Sequence, residues 1–323
     1  MKLKFFVIGL GILVVMLLNC GLSQGADKKP VRIAYLQNDI HQLACWVALE
    51  KGFYAQEGLD VIVAGIFKAG PELMSAFAAG ALDMGYVGVA PATTAVANKT
   101  ARVVVLAQAN SEGSALVVRK DSRIRSILEL KGKTVAVPGH ATVQDFLLRK
   151  ALSQANLSDQ QTRIMVLKPP EMIGALRNGD IDGFIAWEPF PAKAVTMEVG
   201  KILSTSGDIW KDHLCCVLAA ESRFLETRPE DAKKMLRAHV KATDFINQNP
   251  REIIPLAIKF TGMDEKTIVQ ALKNVKYAYF LNTAAVKEYL QFLSQWKYIK
   301  VNDVPAFISR FIHLQLLNEV LKK

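Results

Sequence analysis

The chain is predicted to fold as an α/β protein with two units of alternating strands and helices, followed by a helical tail. Short β-rich runs alternate with amphipathic segments in two successive series along the 323 residues. This pattern is typical of parallel sheets that helices cover on both faces. Because 51% of the residues are hydrophobic, the chain can bury a large core, and its length favours two domains over one.

The first unit is predicted to contain four strands and three helices. The predicted strands are residues 31–37, 60–67, 84–88 and 102–109, and the predicted helices are residues 41–57, 71–81 and 91–98. Polar residues 110–113 follow the last of these strands and are interpreted as a linker with a turn-forming glycine.

The second unit repeats this organisation, and the tail follows it. The predicted strands are residues 115–119, 134–137, 164–167 and 184–186, and the predicted helices are residues 127–130, 142–155 and 171–178. After the apolar run 214–220, helices are predicted at residues 228–249, 251–260, 265–276, 283–298 and 305–321. Their apolar faces have to be buried on the body of the protein.

The N-terminus predicts an export signal over residues 1–19. Lys2 and Lys4 precede an uncharged apolar run over residues 5–18, which is shorter than the ~20 residues that a membrane-spanning helix needs. A secretory signal is therefore favoured over a single-pass anchor.

The end of this signal, Leu17-Leu18-Asn19-Cys20, resembles a bacterial lipobox. In a lipobox the cysteine is lipidated and becomes the mature N-terminus, which predicts lipidation of Cys20. Asn19 replaces the small residue that is usual before that cysteine. Ordinary cleavage near Gly25 or Ala26 is the alternative, and it would release a soluble protein.

The charge favours an exported protein near an anionic membrane surface over a nucleic-acid-binding protein. The formal net charge is +10, and loss of Lys2 and Lys4 with the signal lowers it to +8. No block of basic residues interleaved with aromatic residues is present in the sequence, so nucleic acid is not predicted as a partner.

If Cys20 is acylated, Cys45, Cys215 and Cys216 remain, an odd number that cannot all pair within one chain, and the last two are predicted to be buried thiols. Cys215 and Cys216 are adjacent in an apolar run, where the alternation of a strand would direct their side chains to opposite faces. Free thiols are therefore favoured over a strained vicinal disulfide. Since there is no CxxC motif and no clustered set of histidines and cysteines, neither a metal site nor a cofactor is predicted.

One supersecondary unit occurs twice. The segments SAFAAGALDMGYVGVAPATTA and GALRNGDIDGFIAWEPFPAKA share a helix end with glycine, an aspartate in the turn, a short strand and a proline that opens the next helix. Gly80 and Gly179 suit the left-handed conformation that ends a helix. The segments that follow the two strands are predicted to lie past the carboxyl ends of parallel strands, where open α/β sheets bind ligands. Two units that each offer such a strand end predict a ligand-binding cleft between them.

Five segments resemble the nitrate/sulfonate/taurine group of periplasmic substrate-binding proteins of ABC transporters. They are ALEKGFYAQEGLDV, AAGALDMGYVGVAP, ELKGKTVAVPG, ALRNGDIDGFIAWEPF and RPEDAKKMLRAHVKATDFINQNP. The resemblance implies a type II periplasmic-binding fold, in which two α/β lobes joined by two crossover hinges close over a small solute. It places lobe one at residues 27–112 plus 217–323, with the helical tail packed on it, and lobe two at residues 113–216. The crossovers are expected near residues 110–113 and 214–217.

The candidate ligand contacts end or follow predicted strands or lie at the first crossover. They are Asn38, His41, Gln42, Gly85, Tyr86, Val87, Asn110, Ser111, Glu112, His140, Ala141, Thr142, Trp187 and Glu188. Each has a structural alternative: the segment after the first strand caps a helix, the glycine-containing turn serves packing, and the crossover residues form a plain linker. Trp187 either walls a ligand or packs in the core, and Glu188 either accepts hydrogen bonds from a ligand or favours the next helix N-terminus.

The resemblance implies a non-enzymatic receptor that delivers a small solute to ABC permease and ATPase subunits. A sulfonate, taurine or a nitrate-like anion is the expected ligand, and a neutral or zwitterionic heterocycle such as a pyrimidine precursor or a flavin is the alternative. An enzyme of vitamin or quinone biosynthesis is the rival class, because the same fold occurs there. The export signal and the lack of a recognisable nucleophile elbow or phosphate loop argue against it.

Overall fold

The computed structural model describes residues 29–322, which form two mixed sheets surrounded by helices. The export signal and Cys20 lie outside the described residues. Strands β1 to β11 comprise Val31–Leu36, Val61–Phe67, Met84–Gly88, Val103–Glu112, Ser114–Arg119, Thr134–Val137, Arg163–Val166, Gly183–Trp187, Gly200–Thr205, Leu214–Glu221 and Val275–Tyr277.

The two sheets share one topology. The first has the strand order β11-β4-β10-β3-β1-β2 and the second the order β7-β6-β8-β5-β9. In each sheet, three parallel strands are followed by one that runs antiparallel to both of its neighbours, namely β10 in the first sheet and β5 in the second. The predicted parallel strands are present in both sheets, and each sheet also contains a strand that the prediction of parallel sheets did not include, because β5 and β10 enter from the opposite unit and run antiparallel to their neighbours.

The chain crosses between the two sheets twice. Strand β4 leads directly into β5 through the single residue Gly113, and residues 206–213 connect β9 to β10. The predicted linker residues 110–112 continue β4, where they pair with β11. The second crossover was expected near residues 214–217, but Leu214 already pairs with Ser111 in the first sheet.

Fifteen α-helices lie in the described part of the chain. Helices α1 to α15 comprise Leu43–Glu50, Phe53–Gln56, Gly70–Ala78, Val89–Ala97, Val143–Gln154, Pro169–Asn178, Phe190–Thr196, Ser206–Ile209, Ser222–Thr227, Pro229–Gln248, Ile253–Thr261, Glu265–Leu272, Thr283–Gln295, Val304–Phe311 and Gln315–Leu321. Within residues 29–322, no helix combines the length and the apolar character that crossing a membrane requires.

The helical tail departs from its predicted pattern at two places. The predicted helix 265–276 stops at Leu272, because Val275–Tyr277 forms β11 at the edge of the first sheet. The predicted helix 305–321 is divided into α14 and α15, and Ile312 between them forms a bridge to Val105 in β4. The tail packs chiefly on the first lobe, through α10 and α11 against α1, whereas α12 and α13 also contact α7 and α5 of the second lobe.

The lobes are closed against each other. Lys168 of the second lobe pairs with Glu72 of α3 at 2.5 Å, and Lys193 of α7 pairs with Asp264 before α12 at 2.7 Å. A Cβ atom added at Gly88 would lie 3.2 Å from a methyl group of Val143, across the interface between the lobes. The carboxyl ends of the two sheets therefore face one narrow space.

Candidate functional site

The repeated unit occupies equivalent positions in the two sheets and supplies two walls of the cleft. Its strands are β3 and β8. Strand β3 lies between the parallel strand β1 and the antiparallel strand β10, and β8 lies between the parallel strand β6 and the antiparallel strand β5. The preceding glycines have positive φ, 69° at Gly80 and 82° at Gly179, as the sequence predicts. Gly88 and Trp187, the last residues of β3 and β8, line the same cavity. The internal repeat is therefore a structural repeat.

This inner cavity lies between the lobes and has a volume of about 10 Å³, roughly what one water molecule requires. Leu36, Asp39, His41, Gly70, Gly88, Pro91, Thr142, Val143, Gln144, Trp187, Cys215 and Cys216 line it. Helices α4 and α5 both begin beside it, and the N–H groups of Val89 and Ala90 and of Val143 and Gln144 have no partner within their own helices. A solute larger than a water molecule needs the lobes to separate before it can enter.

A second, outer cavity of about 270 Å³ adjoins the inner one at Pro91. It is lined by Pro71, Met74, Ser75, Ala78, Pro91, Thr94, Ala95, Thr100, His140 and Ala141. Most of these side chains are apolar, whereas the inner cavity combines apolar side chains with the buried polar groups of Asp39, His41, Thr142 and Gln144. The cleft therefore has a small inner compartment that contains ionisable and hydrogen-bonding groups, and a larger outer compartment lined mostly by apolar side chains.

His41 is buried in a short 3₁₀ turn at the end of β1. The carboxylate of Asp39 caps this turn by accepting from the His41 backbone N–H at 3.0 Å. The His41 Nε2 donates to the carbonyl oxygen of Gly113 at 2.6 Å. Because a carbonyl oxygen can only accept, the ring carries a proton on Nε2, and its Nδ1 faces the two cysteine sulfurs and Asp39.

Cys215 and Cys216 both point towards His41. Their sulfurs lie 3.4 Å and 3.8 Å from Nδ1 of His41, and 4.0 Å from each other. The prediction that they face opposite sides of the strand was wrong, because the register of β10 against β4 shifts on both sides of Cys216. Such a bulge adds a residue and redirects its side chain. The thiols are buried and unpaired, as expected, and so is that of Cys45.

The ionisable groups around His41 have shifted pKa values. Burial raises the pKa of Asp39 to about 7, against the opposing effect of His41. Burial by itself lowers the pKa of His41, but Asp39 and Cys215 outweigh it and raise that pKa to about 10. Burial likewise opposes ionisation of Cys215, yet hydrogen bonding from Cys216 and the charge of His41 lower its pKa. The cluster therefore favours a charged imidazolium beside an acidic thiol.

Trp187 brings a buried donor to the inner cavity. Its side chain is 2% exposed and packs edge-on against Phe190. Its indole Nε1–H has no hydrogen-bond partner among residues 29–322. A buried donor without a partner costs about 1–3 kcal/mol, so this N–H marks a place where a ligand acceptor would be stabilising.

Glu188 is directed away from the inner cavity. Its carboxylate accepts from the backbone N–H of Ala192 at 3.0 Å and from the Asn274 amide at 2.8 Å, which ties the start of α7 to the residue before β11. Burial raises its pKa to about 7, although these hydrogen bonds and His41 act in the opposite direction. In the structure, Glu188 therefore holds the start of α7 and the segment before β11 together.

The candidates at the first crossover are engaged in hydrogen bonds of their own. The Asn110 side chain accepts from the Cys216 backbone N–H at 3.1 Å, and Ser111 accepts from Gln108 at 2.7 Å. Glu112 accepts from the backbone of Asp212 at 2.8 Å and from Lys276 at 2.9 Å. Asn110 and Glu112 thus connect the two crossovers, and none of the three candidates lines either cavity.

Other candidates after the strands of the first sheet also lie outside the two cavities. Gln42 fixes the turn, since its amide oxygen accepts from Leu36 and its nitrogen donates to Asp39. The hydroxyl of Tyr86 lies 3.1 Å from Nδ1 of His239 in α10. The remaining residues of this group are Asn38, Gly85 and Val87.

Residues of the loop before α5 line both compartments of the cleft. Thr142 caps the helix by accepting from Asp145 at 3.2 Å, and it lines the inner cavity. His140 and Ala141 line the outer cavity. Gln144, in the first turn of the same helix, was not selected from the sequence, because an amide inside an amphipathic helix carries no distinguishing signal. Asp39 and the cysteine pair were not selected as contacts either.

The fold and the site together define a two-lobed solute-binding protein with its binding cleft between the lobes. The chain belongs to the NMT1-like family, whose model matches residues 24–258. It is 30% identical to the taurine-binding periplasmic protein of Escherichia coli over 72% of this chain and 73% of that protein. A Bacillus subtilis protein named as an aliphatic sulfonates-binding protein is 28% identical, over 85% of this chain and 83% of its own length.

A solved structure confirms the fold. The periplasmic nitrate-binding protein of Synechocystis superposes with a TM-score of 0.81 at 18% identity, covering 91% of this chain and 88% of that one. The predicted periplasmic-binding-protein fold and the resemblance to the nitrate/sulfonate/taurine group are confirmed. These relatives are named as binding proteins and not as enzymes, in agreement with the predicted class.

Proposed function

We propose that the protein is an extracytoplasmic receptor that binds a small organic sulfonate in its cleft and delivers it to an ABC importer. The observation that carries this proposal is the division of the cleft into a small inner compartment with buried hydrogen-bonding and ionisable groups and a larger outer compartment lined mostly by apolar side chains. A sulfonate with an organic tail has the same division within one molecule.

The inner compartment suits the anionic head group. The N-termini of α4 and α5 carry partial positive charge and, in their first two residues, N–H groups without a partner inside the helix, which favour an anion. The Trp187 indole N–H, which has no partner among the described residues, adds a donor on the second lobe. A ligand that accepts from both lobes stabilises the closed form.

The outer compartment suits an organic tail and argues against a bare inorganic anion. Met74, Ala78 and Ala95 supply apolar surface there, and nitrate has no group to place against it. Each methylene buried in such a space adds about 0.8 kcal/mol. Asp39 in the inner cavity supports a zwitterion such as taurine as the second candidate, because its carboxylate would attract an ammonium group.

The relatives named above supply the cellular context of the proposal. Two of them are named as periplasmic proteins, which supports export of this chain through residues 1–19 and delivery of its solute to permease and ATPase subunits. A lipid at Cys20 would hold the receptor at the outer face of the cytoplasmic membrane. Mass spectrometry of the mature N-terminus distinguishes acylated Cys20 from cleavage near Ala26.

The Trp187→Phe variant tests the role of the indole N–H. We expect its dissociation constant for 1-butanesulfonate to rise about 10-fold or more, since a hydrogen bond to a charged group contributes roughly 1.5–3 kcal/mol. Its stability without ligand should change little, because removal of the unpaired buried donor stabilises the folded state, while the smaller ring leaves a cavity that destabilises it. Isothermal titration calorimetry measures the affinity, and thermal unfolding measures the stability.

Trp46→Phe is the matched control. Trp46 is also a fully buried tryptophan whose Nε1 has no partner among the described residues, but it stacks on Phe260 and lines neither cavity. Its affinity for butanesulfonate should equal that of the wild type. Equal affinities in wild type and Trp187→Phe would contradict the proposed head-group contact.

A further inference from the structure

We propose that His41, Cys215 and Cys216 bind one thiophilic divalent metal ion, of which Zn²⁺ is the example. Their Nδ1 and two Sγ atoms all lie within 4.8 Å of one another, and all three residues are buried. This inference does not depend on the identity of the solute, because it concerns a set of ligands in one wall of the cleft.

The spacing of the three atoms fits a metal centre. Zn–S and Zn–N distances of about 2.3 Å and 2.0–2.1 Å imply tetrahedral edges of roughly 3.8 Å between sulfurs and 3.6 Å between sulfur and nitrogen. The observed distances are 4.0 Å between the sulfurs, and 3.4 Å and 3.8 Å from the sulfurs to Nδ1. One ion between these atoms reaches all three with shifts of a few tenths of an ångström.

The hydrogen bond from the other ring nitrogen of His41 is also arranged as expected for a metal ligand. A metal-ligating histidine usually donates its other ring N–H to a carbonyl or carboxylate, which fixes its tautomer and orientation. His41 does this through Nε2 to the Gly113 carbonyl at 2.6 Å, so that the lone pair of Nδ1 is directed at the cysteines. The bulge at Cys216, which the Asn110 side chain holds through the Cys216 N–H, places the second sulfur on the same side.

The local charge favours a divalent ion. Among the described residues that line the inner cavity, there is no lysine or arginine, while Asp39 contributes a carboxylate. Two thiolates and a neutral imidazole around a divalent cation have no net charge, which is the state that burial tolerates best. Binding releases to solvent the thiol protons and any proton on Nδ1, and the proton on Nε2 stays in place.

Three protein ligands leave the ion an open coordination position. Cys215, Cys216 and His41 all line the inner cavity, so that position faces the cleft, as at metal sites that bind a further molecule. His213, two residues before Cys215, holds its Nδ1 2.8 Å from the carbonyl oxygen of Trp210, and its Nε2 has no partner among the described residues.

The test uses the mature chain, reduced and freed of metal, and then dialysed against Zn²⁺ or Cd²⁺. We expect one equivalent of zinc per chain by elemental mass spectrometry, and a thiolate-to-cadmium charge-transfer band in the ultraviolet. The Cys215→Ala and Cys216→Ala variants should each lose stoichiometric retention. Cys45→Ala is the matched control, because Cys45 is equally buried but outside the cluster, and it should retain one equivalent.

Several outcomes would overturn the proposal. Wild-type protein with three titratable thiols that retains no zinc and shows no cadmium band contradicts it, and this result needs no variant to fold. A vicinal disulfide that forms under the reducing buffer also contradicts it, as does a loss in Cys45→Ala equal to that in the cluster variants. Butanesulfonate titration of the same samples separates the two proposals, since absent metal binding with intact solute binding overturns only the metal site.

Discussion

Replacing Gly113 with alanine is expected to lower the free energy of unfolding by about 2–6 kcal/mol. Gly113 has φ of +88°, and an L-residue in this region costs about 1–3 kcal/mol. The new Cβ would also lie 2.8 Å from Cδ2 of buried His41 and 3.0 Å from a methyl group of Val275, an overlap that adds about 1–3 kcal/mol. Urea unfolding monitored by circular dichroism measures the change.

Gly80→Ala separates the two contributions to this loss. Gly80 also has positive φ, 69°, but a Cβ there would meet no atom within 4 Å. The Gly80→Ala variant should therefore lose free energy of unfolding only through backbone strain, by about 1–2 kcal/mol. Equal losses in the two variants would show that the single-residue crossover is not packed against His41 as described.

Replacing Glu188 with glutamine is expected to remove about 3 kcal/mol of pH-dependent stability. Burial raises the pKa of Glu188 from 4.5 to about 7, and each pKa unit corresponds to about 1.4 kcal/mol. Between pH 4.5 and 7 the folded protein keeps a proton that the unfolded chain has lost, so the free energy of unfolding falls as pH rises through this range. Glu188→Gln lacks this group, and its stability should fall less over the same range.

Asp39 and His41 act in the same direction as Glu188, because their pKa values are also raised, to about 7 and about 10. The difference between wild type and variant therefore isolates Glu188, and urea unfolding at pH 5 and pH 7.5 measures it. Glu72→Gln is the control: burial opposes ionisation of Glu72, but hydrogen bonds from Lys168 and the Lys68 backbone lower its pKa, so it titrates below the window. A Glu188→Gln curve parallel to that of the wild type would contradict the buried position of this carboxylate.

The sequence predicts the lobes and the cleft from local patterns. The repeated helix-turn-strand-proline unit predicts strands at residues 84–88 and 184–186, which are β3 and β8 in the structure, and Gly88 and Trp187 at their ends line one cavity. Turn glycines, capping residues and strand-forming runs are local signals, so they can be recognised within a few residues.

The remaining features depend on contacts between distant segments. Asn274 contacts Glu188, which is 86 residues away in the sequence, and His41 contacts Cys215, which is 174 residues away. At such separations along the chain, no local pattern indicates that two residues are close in space. From the sequence, the residues of β11 are predicted to be the end of a helix. In the structure they form a strand, because their pairing with β4 overrides the local helical pattern. The bulge at Cys216 likewise follows from how β10 fits against β4, and only that fit brings the two sulfurs together.

The central claim is that one cleft holds an anionic head group and an apolar tail, and calorimetric titration with a series of alkanesulfonates tests it most directly. We expect affinity to rise from methanesulfonate to 1-butanesulfonate by roughly fourfold per methylene, from about 0.8 kcal/mol for each methylene buried in the outer compartment. Nitrate and 1-butanol, which lack the tail and the charge respectively, should bind far more weakly. Equal affinity for nitrate and butanesulfonate, or for butanol and butanesulfonate, would contradict the account.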